Sequence, residues 1–158
     1  MQGRITTGPQ QADTRRETRD VPFTHEITVG WADCDPAAIA FTGRIPYWSL
    51  EAIEVFWREI VGVDWYALNL DLGFGTPFVH MSLDFSAPVT PRHRLICTVE
   101  VERLGTTSIT FRVRGAQGGK ACFAGRFTCV FVHADRMAPT PPPPDIRARL
   151  ESALVPAA

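Results

Sequence analysis

The chain has 158 residues, 45% of them hydrophobic and 21% charged, with a formal net charge of −1. That length suits one domain with a sizeable buried core. The near-neutral balance gives no bias towards nucleic acid, and no apolar run reaches the roughly 18–20 residues of a membrane span.

The first twenty residues, MQGRITTGPQQADTRRETRD, are polar. They lack the basic-then-apolar pattern of a signal peptide and read as a disordered tail. From Val21 to Val29 the pattern alternates, with Phe23, His25, Ile27 and Val29 on one face and Thr24, Glu26 and Thr28 on the other. That is a half-buried strand. After a loop comes IPYWSLEAIEVFWREI, in which Pro46 fits a first helical turn. Leu50, Ile53, Phe56, Trp57 and Ile60 recur at helical spacing and cover more than one stripe, so this helix is expected to be enclosed on most sides. Gly62 ends it, and Asp64 to Leu70 forms a second, short helix.

Beyond Gly75 the pattern is all strand. Val79, Met81, Leu83 and Phe85 alternate with Phe78, His80, Ser82 and Asp84. Leu95, Cys97, Val99 and Val101 mark the next strand, and Ile109, Phe111 and Val113 the one after. GAQGGK makes a hairpin turn into a long last strand, Ala121 to His133, with Phe123, Phe127 and Phe131 on one face. APTPPPPD reads as an extended linker, and Ile146 to Leu154 as a short amphipathic helix. The division is a tail at 1–20, a folded domain at 21–136, and a Pro-rich linker with a C-terminal helix at 137–158. Four strands with tight connections form an antiparallel sheet, and the long helix is its natural cover. The fold class is α+β, with a sheet wrapped around one central helix.

Cys34, Cys97, Cys122 and Cys129 form no C-x-x-C pair, and the four histidines are scattered. No metal site is expected. Reduced, partly buried thiols suit a cytoplasmic location.

The loop before the long helix, GWADCDPAAIAFTGR, carries the chemistry. Asp-Pro is a common turn former, and Cys34 has no assignable base. A helix N-terminus, however, presents unpaired N–H groups and a partial positive charge that can hold a developing oxyanion. Asp35 stands near that end, where a carboxylate can attack a carbonyl or deprotonate a water that attacks it. The small apolar run between them permits close backbone approach and a water-poor pocket. The combination points to acyl transfer from a good leaving group such as a thiol.

WADCDPAAIAFTGRIPYWSLEAIE resembles the D-C-D-P-A-G-I-V-F/Y signature of the 4-hydroxybenzoyl-CoA thioesterase family, and GTPFVHMSLDFSAPV resembles that family's G-T-P segment. The likeness runs from about Phe23 to His133. It implies a hotdog fold, Asp35 as catalytic carboxylate and the Thr42 backbone N–H as oxyanion donor. It also implies a small-molecule acyl-CoA substrate, no cofactor beyond that coenzyme A thioester, and sites at a dimer interface, with dimers pairing into tetramers. Ile39 and Phe41 are then the pocket wall, and Thr76 and His80 are further substrate-binding candidates. Ala38 departs from the family's glycine and Thr42-Gly43 from its aromatic–proline pair. A run of basic residues, Arg92, Arg94, Arg103, Arg112, Arg114, Lys120, Arg126 and Arg136, suggests a basic half-surface for a coenzyme A phosphate or an acidic carrier protein. Glu51, on the helix, is a second catalytic candidate, because another hotdog branch uses a helical Glu. The expected function is an acyl-CoA thioesterase, and the family resemblance implies an aromatic, hydroxybenzoyl-like acyl group. The alternatives are an acyl-carrier-protein thioesterase and a non-catalytic acyl-CoA-binding hotdog domain. A dehydratase is disfavoured, since no His–Asp pairing is visible near the helix.

Overall fold

The structure is a computed structural model and describes residues 21–156. The expected disordered tail, 1–20, lies outside the described residues. The chain begins with β1 (Phe23–Ile27), a 3-10 turn at Trp31–Asp33, and α1 (Arg44–Phe56). Helix α1 continues through a π-helical turn, Trp57–Val61, and α2 (Trp65–Leu70) follows. Then come β2 (Phe74–Gly75), β3 (Phe78–Phe85), β4 (Leu95–Leu104), β5 (Ser108–Gln117) and β6 (Lys120–Val130). The chain closes with β7 (Val132–His133), β8 (Ala138–Pro139) and α3 (Pro144–Ser152).

Five strands make one antiparallel sheet in the order β1-β4-β5-β6-β3, and β2-β7-β8 make a smaller one. The inward rows of β4 (Leu95, Cys97, Val99, Val101) and β5 (Ile109, Phe111, Val113) are almost fully buried. They meet Trp48, Ala52, Ile53, Phe56 and Trp57 in a single core. Phe56 packs edge-on against Phe111 at 5.7 Å and against Phe23 at 5.6 Å, which pins the helix across the middle of the sheet. A sheet wrapped around one central helix is the hotdog arrangement that the motif implied.

Gly62 ends the helix as expected. Its φ of 82° is left-handed, and its N–H caps the Trp57 carbonyl at 2.8 Å. The Arg149 guanidinium, from α3, donates to the neighbouring Val61 carbonyl. Ile146 and Leu150 of α3 join the core.

Three features differ from the sequence reading. The last strand is not continuous to His133. At Phe131 the chain leaves the large sheet, donating to Thr107 and accepting from Thr140, and β7 pairs instead with β2 and β8. The proline-rich stretch therefore starts as the strand β8. Second, β3 carries a bulge between Phe78 and His80. The irregularity leaves Phe78 opposite the buried Cys129 and His80 opposite Thr128 on the outer face, so the two residues face opposite ways where strict alternation puts them together. As an edge strand β3 is also largely exposed, with Val79 at 63%, Met81 at 42% and Phe85 at 55%.

Third, the basic half-surface is largely neutralised. Glu100 pairs with Arg112 and Arg114 at 2.9 and 3.0 Å, Glu102 with Arg126 at 2.7 Å, and Glu26 with Arg94 at 2.7 Å. Arg126 hydrogen bonds to Glu102 and holds its carboxyl below the ordinary range. Arg136 lies 3.6 Å from Asp135. Glu100, Glu102 and Asp135 come from the same stretch of sequence as the basic residues, and Glu26 comes from β1. No helix among the described residues is long and apolar enough to cross a membrane.

Candidate active site

The loop between β1 and α1 folds as a small hairpin. Cys34 pairs with Ala40, flanked by Phe41 N–H to Asp33 O and Asp35 N–H to Ile39 O, both 2.9 Å. Asp-Pro makes the turn. Ala38 N–H donates to Asp35 O at 2.9 Å, and Ala37 N–H to Asp35 Oδ1 at 2.8 Å. Ala38 then takes φ 60°, the left-handed position at which the family has glycine. The departure noted in the sequence thus falls on the one loop residue where a side chain costs strain.

Alternation on this hairpin sorts its residues. Cys34 turns its thiol towards the Gly30 carbonyl, and Ala40 is buried, so these form the inner face. Asp33, Asp35, Ile39 and Phe41 share the outer one. Asp33 is occupied: its Oδ2 accepts from Gly30 N–H at 2.8 Å and its Oδ1 meets Arg44 Nε at 3.1 Å. It ties the start of the loop to the first turn of α1. Asp35 has one oxygen in its turn, and its Oδ2 accepts no hydrogen bond among the described residues. The two acids that look equivalent in sequence therefore differ, one spent on structure and the other half free.

Helix α1 opens without a side-chain cap and without an acid in its first turn. Arg44 N–H bonds to Phe41 O at 2.8 Å and Ile45 N–H to Thr42 O at 3.2 Å. The amides of Thr42 and Gly43 donate to nothing among the described residues. Thr42 lines a cavity of about 380 Å³ with Ile39, Ala40, Ile45, Phe85, Ser86, Ala87, Pro88 and Val89. The loop is bolted to that wall by Ala40 N–H to Val89 O at 2.8 Å. No charged side chain lines it.

Of the loop's candidates, Ile39 and Thr42 line this cavity, whereas Asp35 and Phe41 lie on the same hairpin outside its lining. Thr76 is elsewhere, in a second cavity of about 270 Å³ with Leu50, Trp65, Leu68, Asn69, Gly75 and Phe78. That cavity opens at the far end of β3. His80, on the outer sheet face, joins neither. Glu51 is engaged with His25 Nε2 at 2.9 Å, a His–acid pair bridging β1 and α1. The inward row of β1 already placed His25 towards the helix, but its partner depends on how strand and helix are set against each other. No cavity described above reaches this pair. Cys97, opposite His25 on β4, has its thiol pushed up to about 12, chiefly by burial and secondarily by the nearby Glu51 charge. Among the described residues no three His, Cys, Asp or Glu side chains converge as a metal site.

A hotdog sheet, a carboxylate on the loop before its helix and free amides at the helix start define the class of a thioester-handling hotdog protein. The sequence profile of the thioesterase-like superfamily matches residues 29–150, and the chain belongs to that superfamily. It is a thioester hydrolase. No curated protein matches the sequence at a significant level. Among solved structures, a thioesterase-superfamily protein from Jannaschia sp. CCS1 is 51% identical with a TM-score of 0.82, the match covering 87% of this chain and 96% of that one. A Pseudomonas aeruginosa protein is 25% identical, with a TM-score of 0.77 over 86% and 94% of the two chains. A 1,4-dihydroxy-2-naphthoyl-CoA thioesterase from Synechocystis is 21% identical, with a TM-score of 0.74 over 82% and 96%; at that identity the likeness is one of fold.

Proposed function

We propose that the protein hydrolyses an acyl-CoA thioester, with Asp35 as the reacting carboxylate and the amides of Thr42 and Gly43 as the oxyanion donors. The observation that carries this reading is the contrast between Asp33 and Asp35. On one hairpin face, one acid is saturated and the other keeps an oxygen free, on the loop that leads into an uncapped helix start. With the carbonyl oxygen at the amides, Asp35 Oδ2 adds to the carbonyl carbon, the C–S bond breaks and the thiolate leaves. Water then cleaves the mixed anhydride to the free acid and restores the carboxylate. Alternatively, Asp35 takes a proton from the water that attacks. Both courses use the same free oxygen, and a thiolate needs little acid assistance. Label from ¹⁸O-water found in Asp35 after a single turnover would establish the anhydride route with water attacking the aspartyl carbonyl, since the general-base route never labels the carboxylate.

The acyl group belongs in the uncharged cavity beside Thr42. The lack of any charged lining favours an uncharged acyl group, and the Synechocystis neighbour's aromatic substrate is compatible with that. The paired outer face of the sheet favours coenzyme A over a carrier protein as the thiol half, because few uncompensated cations remain to dock an acidic domain. Thr76 enters the reading only with a second copy. Within one chain it lies about nine strand residues from Phe85, roughly 30 Å. Antiparallel pairing of two β3 edges across a two-fold axis would set the Thr76 end of one copy beside the Phe85 end of the other. The exposed apolar row of β3 supports such pairing, and the site is then completed by a homodimer. His80 is given no part.

The test is thiol release from a panel of aromatic and aliphatic acyl-CoAs. Asp35→Asn should lower kcat by at least about 10²-fold while leaving the fold intact. An Asn variant as fast as the parent would remove Asp35 from the mechanism.

A further inference from the structure

We propose that Gln117 is a positioning residue for this site, holding the Asp35 loop and the amides of Thr42 and Gly43 in register through the connection between β3 and β4. The proposal rests on the thioesterase reading above. The inward row of β5 runs Ile109, Phe111, Val113, Gly115 and then Gln117, so an otherwise apolar row ends in a carboxamide only 7% exposed. A buried carboxamide is costly unless it is bonded, and this one uses its oxygen and both amide hydrogens. Its Oε1 accepts from Thr90 N–H at 2.9 Å, and its Nε2 donates to the carbonyls of Thr90 and His93, both at 2.7 Å. Pro88 and Pro91 flank Val89-Thr90 and have no N–H to offer, so the grip falls on Thr90.

What Thr90 anchors is the wall of the cavity beside Thr42, which Ser86, Ala87, Pro88 and Val89 line. One end of that wall is tied to β6, where Ser86 N–H and Ala87 N–H donate to the Cys122 carbonyl at 2.8 and 3.1 Å. Gln117 ties the other end. The Thr90 N–H that it holds and the Val89 carbonyl belong to one peptide unit, which is planar and trans, so the two groups point opposite ways from a rigid plate. On the far side of that plate the Val89 carbonyl accepts from Ala40 N–H at 2.8 Å, two residues before Thr42. The aim of the Thr42 and Gly43 amides therefore depends on a plate held by Gln117 on one side and by Ala40 on the other. Gln117 does not itself line the cavity. An oxyanion gains most from donors already aimed at it, so loosening the plate weakens the transition state more than substrate binding.

The test uses Gln117→Met, which keeps the length and removes all three bonds, and Gln117→Glu, which keeps the acceptor and loses the donors. Leu150→Ala, a core lesion at the other end of the central helix, is the control for lost stability alone. Thiol release is measured with the best acyl-CoA of the panel above, well below every melting temperature. Gln117→Met should lower kcat roughly ten- to a hundredfold and change KM less than about threefold, while Leu150→Ala keeps kcat within about twofold of the parent. In Gln117→Glu a carboxylate faces two carbonyl oxygens, and its protonated form donates to one of them again. The kcat of this variant relative to the parent should therefore rise as pH falls, and that of Gln117→Met should stay flat. His93, whose ring lies beside Gly118, and Lys120, opposite Gln117 in the hairpin, are common to both variants, so the difference belongs to the new carboxyl. Exchange of the Ala40 amide hydrogen gives a readout that needs no catalysis: Gln117→Met should speed it at least about tenfold, with the core amides of β5 unchanged. If the parent releases no thiol, the thioesterase reading fails, and the exchange rates still decide the role of Gln117. Unchanged Ala40 exchange would overturn the proposal, as would a kcat loss matched by Leu150→Ala or equal pH profiles for the two Gln117 variants.

Discussion

Ala38 is the residue at which the loop's design is most exposed to test. Its φ of 60° costs an L-residue roughly 1–2 kcal/mol. Ala38→Gly removes that strain and gives back part of the gain as unfolded-chain entropy, about 0.4–1 kcal/mol. The expected net is a rise in unfolding free energy of about 0.5 kcal/mol by denaturant titration, while Ala38→Val should lower it by more than about 1 kcal/mol. A fall on Ala38→Gly would show the position to be unstrained. The thiols make a second residue-scale prediction. Cys97, Cys122 and Cys129 are buried, and Cys34 is partly accessible. A thiol reagent near pH 8 should titrate one group rapidly and three only on unfolding. Burial raises the Cys97 and Cys129 thiols to about 12. Between the ordinary thiol value, about 8.5, and that point, the unfolded chain releases protons that the native chain keeps, so stability is full below the window and falls as pH rises through it. The contrast between the two acids of the loop was only partly legible beforehand. The motif singled out Asp35, but the occupation of Asp33 by Gly30 N–H and Arg44 depends on a closed hairpin that spacing alone does not reveal.

At the scale of elements, periodicity succeeded where both sides of an element are enclosed by the chain itself. The core rows of α1, β4 and β5 were readable because each apolar position is met by another from the same molecule. It failed on β3, whose alternation is real but interrupted by a bulge, and whose inward row overhangs the core at the sheet edge. It also ran past Phe131, because a continued apolar pattern does not record a change of sheet. The C-terminal helix shows the converse: a weakly amphipathic segment whose Leu150 is fully buried and whose Arg149 caps the end of the central helix. Leu150→Ala should cost about 2–4 kcal/mol in unfolding free energy. Arg149→Met, which keeps the aliphatic stem, should cost about 1 kcal/mol through the lost carbonyl bond and helix-end charge. An unchanged Leu150→Ala would mean that α3 is an appendage rather than part of the core.

The whole molecule is larger than one chain if the site is shared, and that is the feature no single sequence displays. The family resemblance implied a site at a dimer interface but not which residues meet there; the edge position of β3 and the two cavities at its ends point to the Thr76 end of one copy and the Asp35 loop of the other. Met81→Lys, a charge in the middle of the exposed row, should shift sedimentation from dimer towards a 17.5 kDa monomer. A stricter test separates sharing from mere association. Asp35→Asn removes the carboxylate, and Thr76→Trp fills the cavity at the other end of β3. Each variant alone should be nearly inactive as a homodimer. When the two are unfolded together and refolded, half the dimers are mixed, and in each mixed dimer both lesions fall in one site while the other has intact Asp35 and an open Thr76 cavity. Activity should recover to about a quarter of the parent value. If the two residues instead served one site within the same chain, every site in every dimer would carry one lesion, and mixing would restore nothing.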